Sequence, residues 1–483
     1  MMNLRILTLV LAFASVTLSA QVKKEWGAKF DYNQKDELDP KLVMADNYNH
    51  YMLTVINRDG MQAQNQIIIR KFDQKNNLVN TLVQEFPNKD IYTLHAYLGS
   101  FEIGNDKVVV FTDSWSNKTK KKEIHKVVFD KKAEAFTSTL VVGYTFESMM
   151  KSGTAGVVGS QNGAFIAVTY QKFSNRKIAE ETDCTVLDGK TLEPVWKKAV
   201  TMPLELYTDN VTVSNSGKLV FVKRVVDKSA KHSLSVVDAN GTEDKEFSSN
   251  IKINKPLVFS IGDQDYFIAF SCTAKQRDNF YDSVLLYDLK SGVILKENPI
   301  KVFSGVKDLQ EIKYDLLSLQ NNEIHLFVEC KYQTGTRPDP AFPNTPAFTI
   351  PVYSSGVATF LAMDMDGTLK KTVDFKVAPV NDNLVGCVGI INFQGSYFVN
   401  AGNIHDPYGK FRSGFFKLEP PTFELNSTNY QYTIPYNEES TDFRFGRSIN
   451  QFCKYFPDNK RMLMAASYGD GKVAFVSLYG SGL

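Results

Sequence analysis

The chain has little of what most enzyme chemistry needs. Its 483 residues hold five cysteines and six histidines. The cysteines, Cys184, Cys272, Cys330, Cys387 and Cys453, are widely spaced and form no CxxC pair. That removes the compact zinc and dithiol motifs. The histidines, His50, His95, His125, His232, His325 and His405, give neither HxH nor HExxH spacing, so no metal-binding signature stands on them. No GxSxG elbow and no Walker loop occurs. The expectation is therefore no cofactor, no metal and no assigned catalytic residue.

Excess charge is also missing. There are 55 basic and 53 acidic residues, a formal net charge of +2. No global field draws such a chain to nucleic acid. Beyond the N-terminus no second long apolar run appears, so no membrane span is expected. The N-terminal "MMNLRILTLVLAFASVTLSA" has one early cation, Arg5, then an apolar run and small residues ending at Ala20. This is the pattern of a secretory signal peptide over residues 1–20, cut at Ala20–Gln21. No Cys follows its apolar core, which disfavours a lipid anchor. The expected mature chain, 21–483, is then exported: periplasmic, at the outer surface, or extracellular. An exported chain meets oxidising conditions, so its thiols need an account.

What is abundant is strand-forming sequence. Aromatic residues make up 12% of the chain, with 34 Phe and 22 Tyr, a bias that suits strands. No long window has helical periodicity. A phrase recurs instead: an apolar run, an Asp and a turn. It ends at Asp73, Asp130, Asp188, Asp238, Asp288 and Asp364, as in "LSVVDANGTE" and "LAMDMDGTLK". An Asp opening a turn accepts a backbone N–H two residues on, so each reads as a turn residue. "MDMDGTL" echoes a calcium loop but lacks the later Glu, and reads as a turn too. Before each phrase stands another apolar run, such as "KVVVFTD" or "KLVFVKR", and often a polar turn and a further weak run before that. Two more worn copies follow, around "NFQGSYFVNAGN" and "FPDNKRMLMAAS". The unit is four strands.

Units of this kind cannot stand alone and must stack. The repeat resembles that of the β-propeller class, which closes such sheets into a ring. It matches no particular family: WD dipeptides, kelch glycine pairs, Asp-boxes and recurrent docking tryptophans are absent. The resemblance implies an all-β fold of eight blades in one domain; seven, with one unit misread, is the alternative. The last unit ends after its third strand, at "KVAFVSLYGSGL". The opening "EWGAKFDYN" is expected to complete it. Cys272 and Cys330 fall at matching positions of adjacent units, as do Cys387 and Cys453. Matching positions point the same way round a ring, so free thiols are expected. The long interval before Asp364 holds "QTGTRPDPAFPNTPAFTIPVYSSG", residues 333–356. Proline is poorly tolerated inside a sheet, so this reads as an insertion between second and third strands.

Loops between second and third strands emerge on one face. They carry many cations, among them Lys118, Lys120, Lys121, Lys122, Lys172, Arg176, Lys177, Lys228, Lys231, Lys275, Arg277, Lys410 and Arg412. These form a basic rim or merely a solvated edge. The starts of the first strands line the channel mouth on that face. Candidate binding residues there are Tyr207, Asp209, Lys255, Glu311, Lys313, Asp382, Arg444 and Arg447, with Glu147 nearby. Phe342, Phe348 and Tyr353 join them from the Pro-rich insertion. The reading is a monomeric, non-catalytic binding or assembly propeller. Its partner would be a glycan or an envelope protein. The competing reading is a propeller enzyme, a glycoside hydrolase or lyase or a metal-dependent lactonase. It would use carboxylates such as Asp209, Glu311 and Asp382.

Overall fold

The computed structural model describes residues 23–479 apart from 34–35, 59–64, 88–91, 176, 226–230, 248–250, 274–280, 282, 301–308, 320–322, 339–348, 377–387, 394–395, 406–410, 425–429, 434–446 and 468–471. The expected signal peptide lies outside these residues. Among the described residues no helix is long and apolar enough to cross a membrane.

The fold is an all-β propeller. Seven four-stranded antiparallel sheets follow one another along the chain, and one five-stranded sheet joins its two ends. The ends supply β1 (Lys23–Trp26) and β2 (Phe30–Asp31). The first blade is β3 (Glu37–Val43), β4 (His50–Ile56), β5 (Gln66–Phe72) and β6 (Leu78–Glu85). The second is β7 (Thr93–Ile103), β8 (Lys107–Ser116), β9 (Lys121–Asp130) and β10 (Ala135–Thr145). The third is β11 (Thr154–Gly159), β12 (Phe165–Gln171), β13 (Glu181–Asp188) and β14 (Pro194–Thr201). The fourth is β15 (Leu206–Val213), β16 (Leu219–Val225), β17 (His232–Val237) and β18 (Thr242–Glu246). The fifth is β19 (Ile251–Ile261), β20 (Gln264–Thr273), β21 (Ser283–Asp288) and β22 (Val293–Pro299). The sixth is β23 (Leu309–Ser318), β24 (Glu323–Pro338), β25 (Thr349–Asp364) and β26 (Leu369–Lys376). The seventh is β27 (Val388–Phe393), β28 (Ser396–His405), β29 (Phe411–Leu418) and β30 (Tyr430–Thr433). The terminal sheet holds β31 (Arg447–Phe456), β32 (Arg461–Ser467) and β33 (Lys472–Tyr479), with β1 and β2 both on β33.

The second strands carry continuous apolar runs, as in Val108–Phe111 and Leu219–Val222, because both faces of the sheet are covered there. In β8, Val108 and Val110 pack with Tyr51, Val55 and Ile67 of the first blade. The alternate residues Val109 and Phe111 pack with Ile166 and Val168 of the third. The same alternation splits β16: Leu219 and Phe221 face the third blade, Val220 and Val222 the fifth. Side chains of successive strand residues point to opposite faces, so a continuous run serves two interfaces at once. The fourth strands are largely exposed, as in β6 and β14. The seventh blade lies against the terminal sheet through β27, β28 and β31, and that sheet packs on the first blade through Phe30, Phe475 and Phe72. The series therefore closes on itself.

The Asp turns form largely as their chemistry requires. The Oδ1 atoms of Asp130, Asp188, Asp238 and Asp288 each accept the N–H two residues on, at 2.8–3.0 Å. Two depart from the expected contact. Asp73 Oδ1 takes the N–H of Asn77, four residues on, at 2.8 Å. Asp364 gives its carboxylate to Lys370 at 2.6 Å, and Asp366 accepts Thr368 N–H instead. Here Gly367 adopts φ 83°, and a Cβ would lie 2.6 Å from Lys296 Cβ of the fifth blade. The turn docks on its neighbour, so only glycine fits.

The Pro-rich stretch departs further from its reading as an interruption of the sheet. It does sit between the second and third strands, but β24 and β25 continue into it as a ladder from Gln333↔Tyr353 to Pro338↔Thr349. Among the described residues only these two strands extend so far, so a proline here has one fewer ladder to break. Phe342 and Phe348 lie outside the described residues.

Candidate binding pocket between the fourth and fifth blades

Among the sequence candidates, the structure builds a site around Asp209. The pairing of β15 with β16 slips between Thr208 and Asn210. Asp209 is the extra residue of this bulge, a device that re-aims a side chain. A second slip, between Asn254 and Leu257 of β19, bows the facing strand of the fifth blade. Between them lies a pocket of about 320 Å³. Asp209, Asn210, Arg224, His232, Lys252, Asn254 and Tyr281 contribute most of its polar lining. The start of β15 is anchored from the third blade, where the buried Glu180 accepts Thr208 N–H at 3.1 Å.

The polar groups of this pocket hold one another in series. Ile253 N–H of the fifth blade donates to His232 Nδ1 at 2.8 Å. That occupies one ring nitrogen as an acceptor and assigns the proton to Nε2. Nε2 lies 3.0 Å from Asp209 Oδ2. Asp209 Oδ1 accepts Arg224 Nε at 3.1 Å. His232 is buried, whereas the Arg224 side chain is 48% exposed. The imidazole has no free lone pair with which to take a proton. Asp209 spends both oxygens on fixed donors. The series orients a guanidinium; it does not assemble an acid and a base.

Tyr207 and Asp209 both stand on β15, as the sequence places them. Lys255 lies on β19 between the pocket residues Asn254 and Pro256. Glu311 and Lys313 are on β23, Arg447 on β31 and Tyr353 on β25. These four belong to other sheets, and their side chains, like that of Lys255, are not among those described. Asp382 and Arg444 lie outside the described residues. Glu147 is exposed and paired with Lys151 at 2.6 Å. Arg224, Asn254 and Tyr281 were not singled out by sequence. The available signal was positional: the end of a second strand and the start of a third flank the start of the first.

The basic rim is only partly a rim. Lys122 is buried, not solvated. Its Nζ lies 3.0 Å from Asp113 Oδ2 and 3.0 Å from Gly153 O, and sits over the Trp115 ring at 5.0 Å. Strand β9 already begins at Lys121, which turns Lys122 inward against the third blade. Burial raises the Asp113 carboxyl pKa despite the neighbouring ammonium. Lys172 pairs with Glu181 and Asp183, and Lys231 with Glu246. Arg176, Lys228, Lys275, Arg277 and Lys410 fall outside the described residues. Cys184 and Cys272 are buried and neither is in a disulfide; the other three cysteines fall where side chains are not described.

No protein-family model matches the chain, and no curated protein matches it in sequence. Similar solved structures include the acylaminoacyl peptidase of Pyrococcus horikoshii, at a TM-score of 0.38 and 8% identity, covering 91% of this chain and 58% of that one. The β-propeller domain of the Trilobed protease from Pyrococcus furiosus gives 0.34 and 10%, covering 82% and 97%. The α-L-arabinanase of Penicillium chrysogenum complexed with arabinobiose gives 0.34 and 12%, covering 65% and 94%. The chain spans 58% of the length of the acylaminoacyl peptidases it resembles.

Proposed function

We propose that this chain is an exported, non-catalytic binding propeller that holds a glycan on the face of its second-to-third-strand loops. The observation that carries the reading is the saturation of Asp209 and His232. A hydrolytic site needs a group free to take or give a proton. In the pocket, the contact of Asp209 with His232 has its outer nitrogen capped by a backbone N–H from the next blade. What the pocket offers is a set of fixed hydrogen-bonding groups beside an aromatic wall, which suits recognition. Counted with the terminal sheet as a blade, the ring has eight, and the chain from 21 to 483 acts as one domain. The ladder between β24 and β25, which carries Tyr353, extends the same face.

A glycan array probed with the whole mature chain tests this reading. Retained glycans are expected, without release of new reducing ends on prolonged incubation. Turnover that disappears in Asp209→Asn would overturn it, as would an array signal no higher than that of the unfolded chain.

A further inference from the structure

We infer that the pocket recognises a sugar acid, and that Arg224 reads its carboxylate. This inference rests on the binding role proposed above and names the ligand's chemistry.

The argument begins with which edge of the guanidinium is used. Asp209 takes Arg224 through Nε. That leaves the Nη1/Nη2 edge, a planar fork whose spacing matches the two oxygens of a carboxylate. Arg224 lines the pocket and half of its side chain is accessible. An exposed arginine ordinarily loses rotamer freedom when it grips a ligand. Here part of that freedom is already lost. Ile253 fixes His232, His232 fixes Asp209, and Asp209 fixes Arg224. The fork is preorganised across a blade interface before any ligand arrives.

The charge around the fork fits an anion. Arg224 and Lys252 are cations, His232 is held as the neutral Nε2–H tautomer, and Asp209 is the one anion among the lining residues. The formal charges of the lining residues sum to a positive value, in a protein that is otherwise close to neutral. The remaining lining decides between sources of a carboxylate. Asn210 and Asn254 offer amides that both donate and accept, and Tyr281 forms an aromatic wall. Hydroxyl groups around a sugar ring use such amides. A peptide would need an apolar recess for a side chain, and the apolar lining is limited to Val222, Ile253 and Pro256 beside Tyr281.

The experiment is calorimetric titration of the whole chain with a glucuronate-containing tetrasaccharide and with the same sugar methyl-esterified. The acid is expected to bind about ten-fold more tightly or better, a difference that added salt reduces. Arg224→Gln is expected to abolish that preference. Arg224→Lys is expected to restore little of it, because an ammonium has no fork. Equal binding of acid and ester, still lost in Asn254→Ala, would overturn the carboxylate assignment and leave the binding role standing. Absence of binding by either sugar and by a glutamate-rich peptide would overturn both. A glutamate-rich peptide that binds with the same dependence on Arg224, where the sugars do not, would overturn the sugar assignment alone.

Discussion

Asn76 and Arg461 stand 385 residues apart, yet Arg461 Nη2 donates to Asn76 Oδ1 at 2.8 Å. Both residues are fully buried where the terminal sheet meets the first blade. Arg461 Nε also donates to Ser477 Oγ of β33 at 2.8 Å, and Asn76 Nδ2 reaches Glu25 O of β1 at 3.1 Å. One asparagine in the turn after β5 therefore touches all three parts of the ring's seam.

Replacing Asn76 by Ala strands a buried guanidinium nitrogen. A loss of about 2–4 kcal/mol is expected, since a buried charged donor without its partner is among the costlier defects. Asn76 has φ 65°, which disfavours Ala by itself. Asn76→Gly keeps that backbone while removing the amide, and is expected to lose most of the same stability. Urea denaturation of the three proteins checks this; a Gly variant as stable as the parent would disprove it.

Gly27 is the complementary test from the N-terminal side. A Cβ built there would lie 2.1 Å from Asn76 O. Gly27→Ala must push β1 off the turn, and a lower melting temperature is expected, with a larger loss in Gly27→Val. Deleting residues 23–31 goes further, removing both partners of β33's outer edge. That deletion is expected to yield an open ring that associates through the bare strand, detectable by size-exclusion chromatography.

His50 makes stability sensitive to acid. It is buried, stacked on Phe72 at 5.0 Å and edge-on to Phe475 at 4.7 Å, and neither ring nitrogen has a partner. Burial first, and then the nearby Arg461, hold its pKa well below the ordinary range. An unfolded histidine titrates near 6.5. Below that pH the unfolded chain takes up a proton that the folded chain refuses. The contribution is complete above about pH 6.5 and falls away as pH drops toward the folded value, at up to ~1.4 kcal/mol per pH unit for one group. His125, also lowered by burial, acts with the same sign. His50→Phe is expected to flatten the pH dependence of urea stability between pH 6.5 and 5 by about one proton.

The two buried thiols give a chemical readout. Burial, with a smaller push from Asp183, raises the Cys184 thiol to about 12, so little thiolate is available to attack a reagent. In the native protein at pH 8, Cys184 and Cys272 are expected to resist a disulfide reagent. In denaturant without reductant both are expected to react. Peptide mapping of the labelled protein identifies them; either residue recovered in a disulfide would contradict the free-thiol assignment.

The fold was legible because its signals are local and repeated. An apolar run followed by Asp marks the end of a third strand from Asp73 to Asp364, and closing a turn needs nothing from afar. Asp209 was legible as the start of a first strand. His232 and Arg224 were not, because their meeting depends on one extra residue in β15 and on an N–H from the next blade. Lys122 misled for the opposite reason. A lysine in a basic stretch reads as solvated, and only the position where β9 begins shows that it turns inward to Asp113. The prolines after Gln333 hid the long ladder between β24 and β25, since a sequence does not show where a sheet's other strands stop.

The seam also sets an order of events in time. A chain made from its N-terminus carries β1 and β2 ahead of β3 to β32, but β33, to which both pair, comes after all of these. Every blade from β3 to β30 has all four strands in hand before that partner exists. The opening strand must therefore wait for its partner until β33 has been made, and the ring can lock only from that point on.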